Sequence, residues 1–157
     1  RPSNDHGRNL HIDSFLFLDK ESPVFRNEEM LKFRIEYTAQ VDIENLRLYY
    51  IVEYVDSSVA GTTHSDVFGS IKAGERQSAE FAMDISNLIS GVYYFYVDIF
   101  SMNEFGTRTS YDNPLQKIYF EIEGDGALET IQWQRKYMGN VRLAQLETIQ
   151  AAQKLSV

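Results

Sequence analysis

The sequence predicts an all-β fold, an immunoglobulin-like antiparallel β-sandwich, and three observations support this prediction. Apolar and polar residues alternate strictly in several segments, and a period of two is typical of strands that bury one face. Clusters of Gly, Pro, Asn, Asp and Ser separate these segments at fairly regular intervals. The spacing L-x-x-G-x-Y from Leu88 to Tyr93 is typical of the tyrosine corner of Greek-key sandwiches, where the tyrosine hydroxyl bonds to the upstream backbone.

The first part of the chain contains three segments with the periodicity of strands. Residues 10–18 alternate and then become continuously apolar before a turn-rich stretch at 19–23. Residues 30–38, MLKFRIEYT, place apolar side chains on one face and mainly charged ones on the other, which no helix would do. Residues 46–55, LRLYYIVEYV, alternate in the same way and are followed by turn chemistry at 56–61. We therefore predict three strands here.

The middle of the chain supplies the rest of the predicted sandwich. The sequence predicts a short edge strand at 62–68 and a further alternating strand at 77–83. After the predicted tyrosine corner, residues 92–101 form a long β-branched and aromatic run. A loop is predicted at 102–114, and an alternating strand at 115–123 closes the fold. Strands at this spacing favour two packed antiparallel sheets.

The domain organisation predicted from the sequence has three parts. Residues 1–9 are a polar linker, residues 10–124 the β-sandwich, and residues 125–157 a C-terminal extension. Because the chain opens on this linker and lacks an initiator Met, we expect it to be a domain of a longer protein. In the extension, 139–143 could form one more strand, and the stretch 143–155, which lacks Gly and Pro, predicts a short amphipathic helix. Its apolar positions, spaced by three, are Leu143, Leu146, Ile149, Ala152 and Leu155.

The composition argues against several classes of function. The 15 basic and 23 acidic residues give a net charge of −8, which repels nucleic-acid phosphates and anionic lipid surfaces. No apolar run approaches the ~20 residues that a membrane-spanning helix needs, so we expect a soluble domain. The chain has no cysteine, which excludes disulfides and thiolate metal sites and favours a cytoplasmic location.

Motifs for catalysis, nucleotides or metals are missing from the sequence. Its glycines are isolated, whereas a phosphate-binding loop needs the spacing G-x-x-x-x-G-K-[ST]. The three histidines lack the spacing of a zinc site, and no two carboxylates stand out as an acid and base pair. Oxygen ligands for calcium are present in one loop but without the spacing of an EF-hand. They are Asn103, Glu104, Asp112 and Asn113. We therefore predict a protein that is not an enzyme and needs no cofactor or metal.

The strongest functional signal is an aromatic face on the predicted sandwich. If Tyr93 points inward, as a corner tyrosine must, then the residues of opposite parity on three neighbouring strands point outward. We predict a carbohydrate-binding face from this set, because a sugar stacks its C–H face on an aromatic ring and hydrogen-bonds through its hydroxyls. The predicted site residues are Arg47, Tyr49, Glu53, Tyr94, Tyr96, Asp98, Lys117 and Tyr119. Two alternatives remain open: the C-terminal extension or a partner subunit covers this face, or the residues are ordinary strand aromatics.

Five segments, in order, resemble one protein family. They are the opening linker DHGR at 5–8, FRNEEMLKFRIEYTA at 25–39, LISGVYYFYVDI at 88–99, IYFEIEG at 118–124, and W-x5-G-N-V-R-L at 133–143. Together they resemble the C-terminal domain of the ATP-binding subunits of bacterial polysaccharide ABC exporters, the Wzt-type family that handles O-antigen. The extension at 143–157 is not expected of that family, and the tyrosine face is inferred from alternation alone.

The resemblance implies a carbohydrate-binding β-sandwich that recognises the exported O-antigen glycan. It also implies a parent chain whose nucleotide-binding domain pairs with a membrane transporter subunit, at the cytoplasmic face of the inner membrane. Members of the family dimerise through their terminal strands, so a homodimer is expected. The predicted dimer-interface residues are Trp133, Tyr137, Val141 and Leu143. The alternative is a protein-interaction or dimerisation sandwich that binds no sugar.

Overall fold

The computed structural model describes residues 6–114, 117–124 and 134–155, and this part is almost entirely β-structure. Its strands and single helix are β1 (Leu10–Phe17), β2 (Val24–Arg26), β3 (Met30–Ala39), β4 (Ile43–Glu53), β5 (Val59–His64), β6 (Gly69–Ile71), β7 (Arg76–Asp84), β8 (Gly91–Met102), β9 (Arg108–Asp112), β10 (Ile118–Glu123) and α1 (Arg135–Met138).

The strands form two sheets, which confirms the predicted immunoglobulin-like sandwich. One sheet has three strands in the order β1-β3-β7. The other has the order β2-β10-β8-β4-β5, with β6 added to β4 and β9 added to β8. The pairing is antiparallel except between β2 and β10, which are parallel. The strands β4, β8 and β10, which the sequence placed side by side, are consecutive neighbours in the larger sheet.

The inner faces of the two sheets form one aromatic core. Alternate residues of β3, β4 and β8 are buried, as the period of two predicts. Phe95 lies at the centre of this core, with the Tyr50 ring stacked on it at 4.5 Å and the Phe15 ring at 4.8 Å. Because Phe15 belongs to the three-stranded sheet, Phe95 joins the two layers.

The tyrosine corner predicted at Tyr93 is present. The Tyr93 side chain is fully buried, and its hydroxyl donates a hydrogen bond of 2.7 Å to the backbone oxygen of Ile89. The C-terminal segment packs against the same turn, because the Ile89 amide donates to the Asn140 oxygen at 3.0 Å. Leu88 and Val141 form a β-bridge beside this bond. The corner therefore anchors the start of β8 and also positions residues 140–142.

The short strands differ from the sequence prediction. The edge strand predicted at 62–68 is β5, which begins at Val59 within the predicted turn and ends at His64. The predicted loop at 102–114 contains β9, and β2 and β6 were not predicted. These strands have three to six residues, too few to show a clear alternation, and they form by pairing with β4, β8 and β10.

The helix predicted over 143–155 is wrong. Among the described residues the helix is the single turn α1, and 143–155 adopt no helix or strand. An isolated helix shorter than about 12–15 residues is marginal in water unless its apolar stripe packs on a neighbour. Here Leu146, Ile149 and Leu155 are at least 87% exposed, so nothing in the described chain stabilises such a helix.

Candidate functional site

The outward-facing residues of β4, β8 and β10 lie on one continuous sheet surface. Tyr119 is directly opposite Tyr94, and Tyr94 is opposite Glu53. Further along the same two strands, Tyr96 is opposite Ile51 and Asp98 is opposite Tyr49. We call this surface the tyrosine face. Its residues are Arg47, Tyr49, Glu53, Tyr94, Tyr96, Asp98, Lys117 and Tyr119.

Three tyrosines form the open part of the tyrosine face. Tyr119 is 53% exposed, and Tyr94 and Tyr96 are half-buried. Directly opposed residues in an antiparallel pair have their Cβ atoms about 4.5–5.5 Å apart, so the Tyr94 and Tyr119 side chains leave the sheet at neighbouring positions. The arrangement offers adjacent aromatic surfaces with hydroxyl groups at their tips.

An ion pair borders these tyrosines. The Lys117 ammonium lies 2.5 Å from a carboxylate oxygen of Glu53 and donates a hydrogen bond of 2.9 Å to the Ser57 hydroxyl. Glu53 is buried, whereas the Lys117 side chain is 37% exposed. Glu53 therefore fixes the lysine, and the ammonium is the group that a ligand on the face can reach.

The other end of the tyrosine face is closed by an aromatic stack. Tyr49 lies parallel to Phe100 with 4.3 Å between ring centroids, and the Arg108 guanidinium lies 5.2 Å from the Tyr49 centroid. Such cation–π contact stabilises the stack and covers one side of it. The sequence interpretation missed Phe100 and Arg108. The outward parity of β8 could have identified Phe100, but Arg108 lies in β9, which was predicted as loop.

Asp98 is on the tyrosine face but is only 3% exposed. Its carboxylate accepts a hydrogen bond of 2.6 Å from the Ser110 hydroxyl and lies 3.6 Å from the Arg108 guanidinium. Burial raises the pKa of Asp98, while Ser110 and Arg108 act in the opposite direction. Asp98 and the buried Glu53 therefore support the face from below. Arg47 is half-buried, opposite Phe100 in the register.

Replacing Asp98 by Asn is expected to change how stability depends on pH. Because the folded pKa of Asp98 is raised above its ordinary value of 3.8, the folded state holds the proton more tightly than the unfolded state. The contribution of Asp98 to the free energy of unfolding therefore falls as pH rises from that value through the folded pKa. Asn does not titrate and still accepts from Ser110.

Urea denaturation of both proteins between roughly pH 4 and pH 7 measures this difference. The free energy of unfolding of the wild type relative to Asp98→Asn should decrease across that interval. A relative stability that is constant, or that increases with pH, would contradict the assignment of a raised pKa to Asp98.

A groove of about 540 Å³ adjoins the tyrosine face at Tyr119. Its walls include Phe15 and Phe17 of β1, the turn at 20–23, and Lys117. The groove extends the accessible surface from the tyrosine rings around the edge of β10 to the β1–β2 turn. A chain-like ligand on the face would have room to continue there.

The other predicted functional residues do not join the tyrosine face. Tyr137 and Leu143 are exposed, Val141 bridges to Leu88, and Trp133 lies outside the described residues. In the loop considered for calcium, the Asn103 side chain accepts hydrogen bonds from backbone amides of its own turn. Across the described ranges, no group of three or more His, Asp or Glu residues is arranged to hold a metal ion. None of the helical structure described there is long and apolar enough to cross a membrane.

Comparison with known proteins identifies a structural relative. No family model matches the sequence, and no curated protein matches it. Among solved structures, the C-terminal domain of Wzt aligns over 80% of this chain and 84% of its own, with a TM-score of 0.63 and 14% identity. The two proteins share a fold. The resemblance expected from the five sequence segments is thus confirmed at the level of the fold.

Two other similar structures align less well. The alkylpurine DNA glycosylase AlkC of Pseudomonas fluorescens, bound to DNA, matches 74% of this chain and 31% of its own at 18% identity and a TM-score of 0.46. A β-glucosidase of Listeria innocua matches 74% of this chain and 16% of its own at 14% identity and a TM-score of 0.43. At these scores neither carries an argument about function.

Proposed function

We propose that this chain is a non-catalytic carbohydrate-binding module and that the tyrosine face is its binding surface. The observation that carries the proposal is the group of three accessible tyrosines, Tyr94, Tyr96 and Tyr119, beside the fixed ammonium of Lys117. A pyranose ring stacks its apolar face on such rings, and its hydroxyls accept from the ammonium and the tyrosine hydroxyls. The adjoining groove gives a polysaccharide room to extend beyond one sugar.

We propose further that the glycan is an O-antigen-type polysaccharide, handled for export by an ABC transporter. The support is the fold shared with the C-terminal domain of Wzt, together with the order of sequence segments that resembles the Wzt-type family. In this proposal the parent chain pairs with a membrane transporter subunit. The module then acts on the cytoplasmic side of the inner membrane as part of a homodimer.

The carboxylates of the tyrosine face support the proposal that the module has no catalytic activity. Glu53 and Asp98, the two carboxylates among its eight named residues, are both buried and are held by Lys117, Ser110 and Arg108. A glycosidase needs one carboxyl group to donate a proton and another to act as base or nucleophile beside the sugar. Side chains held below the surface by these bonds serve to position the face, so we propose binding without turnover.

Titration with a panel of bacterial O-polysaccharides and their terminal oligosaccharides tests this proposal. Tyr94→Ala and Tyr96→Ala should each weaken binding roughly tenfold, because each loses one stacking surface worth about 1 kcal/mol or more. Tyr137→Ala is the matched control, since Tyr137 is an exposed tyrosine outside the face. Intrinsic fluorescence or calorimetry measures the dissociation constants, which we expect to be micromolar to millimolar.

A second candidate function is a protein-interaction or dimerisation domain. The observation that favours it is the row of exposed apolar side chains in the C-terminal segment, among them Leu143, Leu146 and Ile149. If no glycan binds, including that of the source cell, and sedimentation shows a dimer that these residues stabilise, this second function replaces the first.

A further inference from the structure

Two arginines lie at the end of the tyrosine face that is closed by the stack of Tyr49 on Phe100. Arg47 precedes Tyr49 by two residues on the same side of β4 and is directly opposite Phe100 of β8. Arg108 approaches from β9, with its guanidinium 5.2 Å from the Tyr49 centroid and 5.9 Å from the Phe100 centroid. The two arginines therefore flank the same pair of rings.

Arg108 is held in place, but its N–H groups have no acceptor. The two rings fix the guanidinium by cation–π contact, and the Asp98 carboxylate is 3.6 Å away, too far for a hydrogen bond. A guanidinium has five N–H donors, and this one makes no hydrogen bond to any residue that the structure describes. Because the Arg108 side chain is half-exposed, a ligand on the face can reach it.

Arg47 has no counter-ion. Its side chain is half-buried, and within the described ranges it forms neither an ion pair nor a side-chain hydrogen bond. Lys117, on the same face, is by comparison paired with Glu53. Taking a cation partly out of water costs free energy unless an anion or hydrogen bonds replace the lost hydration. Arg47 therefore gains a favourable interaction if an anion binds at this end of the face.

The carboxylates near the two arginines leave both guanidinium groups available. Asp98 is buried beneath the rings at 3% exposure, and its carboxylate accepts its short hydrogen bond from Ser110. Asp66 is exposed in the loop after β5 and forms no ion pair with Arg47 or Arg108 in the part of the chain that the structure describes. A ligand anion can therefore bind both arginines without displacing a hydrogen-bonded carboxylate.

A guanidinium recognises carboxylate and phosphate groups through two parallel N–H···O bonds. Sugars carry these groups as uronic acids and as phosphate esters. We propose that Arg47 and Arg108 form an anion subsite of the tyrosine face, and that the glycan contains an acidic sugar whose carboxylate or phosphate binds there. Such a subsite rests on the proposed carbohydrate-binding function, and it narrows the glycan to those that contain an acidic sugar.

Three sugars that differ in one group test the anion subsite. They are the methyl glycosides of glucuronic acid, of glucose 6-phosphate and of glucose, which carry a carboxylate, a phosphate and a neutral hydroxyl at the same position. Titration at constant ionic strength is followed by NMR through the Nε–H signals of Arg47 and Arg108. At least one acidic glycoside should shift both signals and bind about tenfold more tightly than the neutral one, because charge-assisted hydrogen bonds are the stronger ones. The tighter of the two acids identifies the group that the subsite prefers.

Substitution of each arginine tests whether the preference for an acid arises at this subsite. Arg47→Gln and Arg108→Gln should each reduce the preference to about threefold or less, and should change binding of the neutral glycoside by less than about twofold. Arg26→Gln is the matched control, because Arg26 lies in β2 at the other edge of the same sheet and is already paired with Glu28. Urea denaturation of the three variants verifies that each one is folded.

The anion subsite is contradicted if neither acidic glycoside binds more tightly than the neutral one, or if the two arginine signals do not shift. It is also contradicted if Arg26→Gln lowers the preference as much as Arg47→Gln and Arg108→Gln do. Failure of the subsite differs from failure of the proposed function. If the subsite alone is wrong, O-polysaccharides still bind and lose affinity in Tyr94→Ala and Tyr96→Ala, whereas if carbohydrate binding is wrong, no glycan binds, whether acidic or neutral.

Discussion

Replacing Phe95 by Ala is expected to lower the free energy of unfolding by about 3–5 kcal/mol. Phe95 is fully buried, and its ring contacts Phe15 and Phe17 of one sheet and Tyr50 and Phe120 of the other. Truncation removes the transfer free energy of the ring and leaves a void between rigid aromatic neighbours. Domains commonly have only about 5–15 kcal/mol of stability in total, so this loss is a large share of it.

Urea denaturation followed by circular dichroism measures the effect of Phe95→Ala. Val92→Ala is the control on the same strand, because Val92 is 41% exposed and its truncation should cost less than about 1 kcal/mol. Phe95→Leu, which keeps most of the volume, should fall between the two. Equal losses for Phe95→Ala and Val92→Ala would show that the aromatic cluster does not hold the two sheets together.

The faces of the long strands could be predicted from sequence because burial is periodic in them. In β3, in most of β4 and in the first half of β8, buried side chains alternate with more exposed ones, and the apolar pattern records this directly. Tyr93 was predictable for a second reason. Its bond to Ile89 is local in sequence, so the spacing alone encodes it.

The closed end of the tyrosine face could not be predicted in the same way. Arg108 approaches Tyr49 only because β9 pairs with β8, and β9, with the sequence RTSYD, has no apolar alternation. The burial of Asp98 depends on the same pairing, since Ser110 and Arg108 both come from β9. Contacts between residues on different short strands leave no periodic signal in a single sequence.

The helix predicted in the C-terminal segment is wrong although the sequence there has a periodic apolar pattern. A spacing of three between apolar residues indicates which face a helix would bury, but it does not supply the surface that buries it. Leu146 and Ile149 contact no core in the described chain, so the pattern is present without its structural consequence. The same pattern remains available for a partner, as the second candidate function requires.

Replacing Asp112 by Ala is expected to lower the free energy of unfolding by about 3 kcal/mol. Asp112 is fully buried in β9, and its carboxylate accepts a hydrogen bond of 2.7 Å from the Ile12 amide. That amide lies beside a bulge in β1, where the pairing with β3 shifts between Ile12 and Ser14. The bond thus joins the three-stranded sheet to the larger one. Alanine leaves the buried amide without its charged acceptor.

Two control variants, Asp112→Asn and Asp66→Ala, distinguish the stability lost with the hydrogen bond from the stability lost by removing any carboxylate. The Asp112→Asn variant keeps a side-chain oxygen that accepts from Ile12, so its cost should be about half that of Asp112→Ala, because hydrogen bonds to neutral acceptors are roughly half as strong. Asp66 is exposed, and Asp66→Ala should change stability by less than about 0.5 kcal/mol. Chemical denaturation gives all three values. If Asp112→Ala lowers the free energy of unfolding no more than Asp66→Ala does, the hydrogen bond between Asp112 and Ile12 does not contribute to holding the two sheets together.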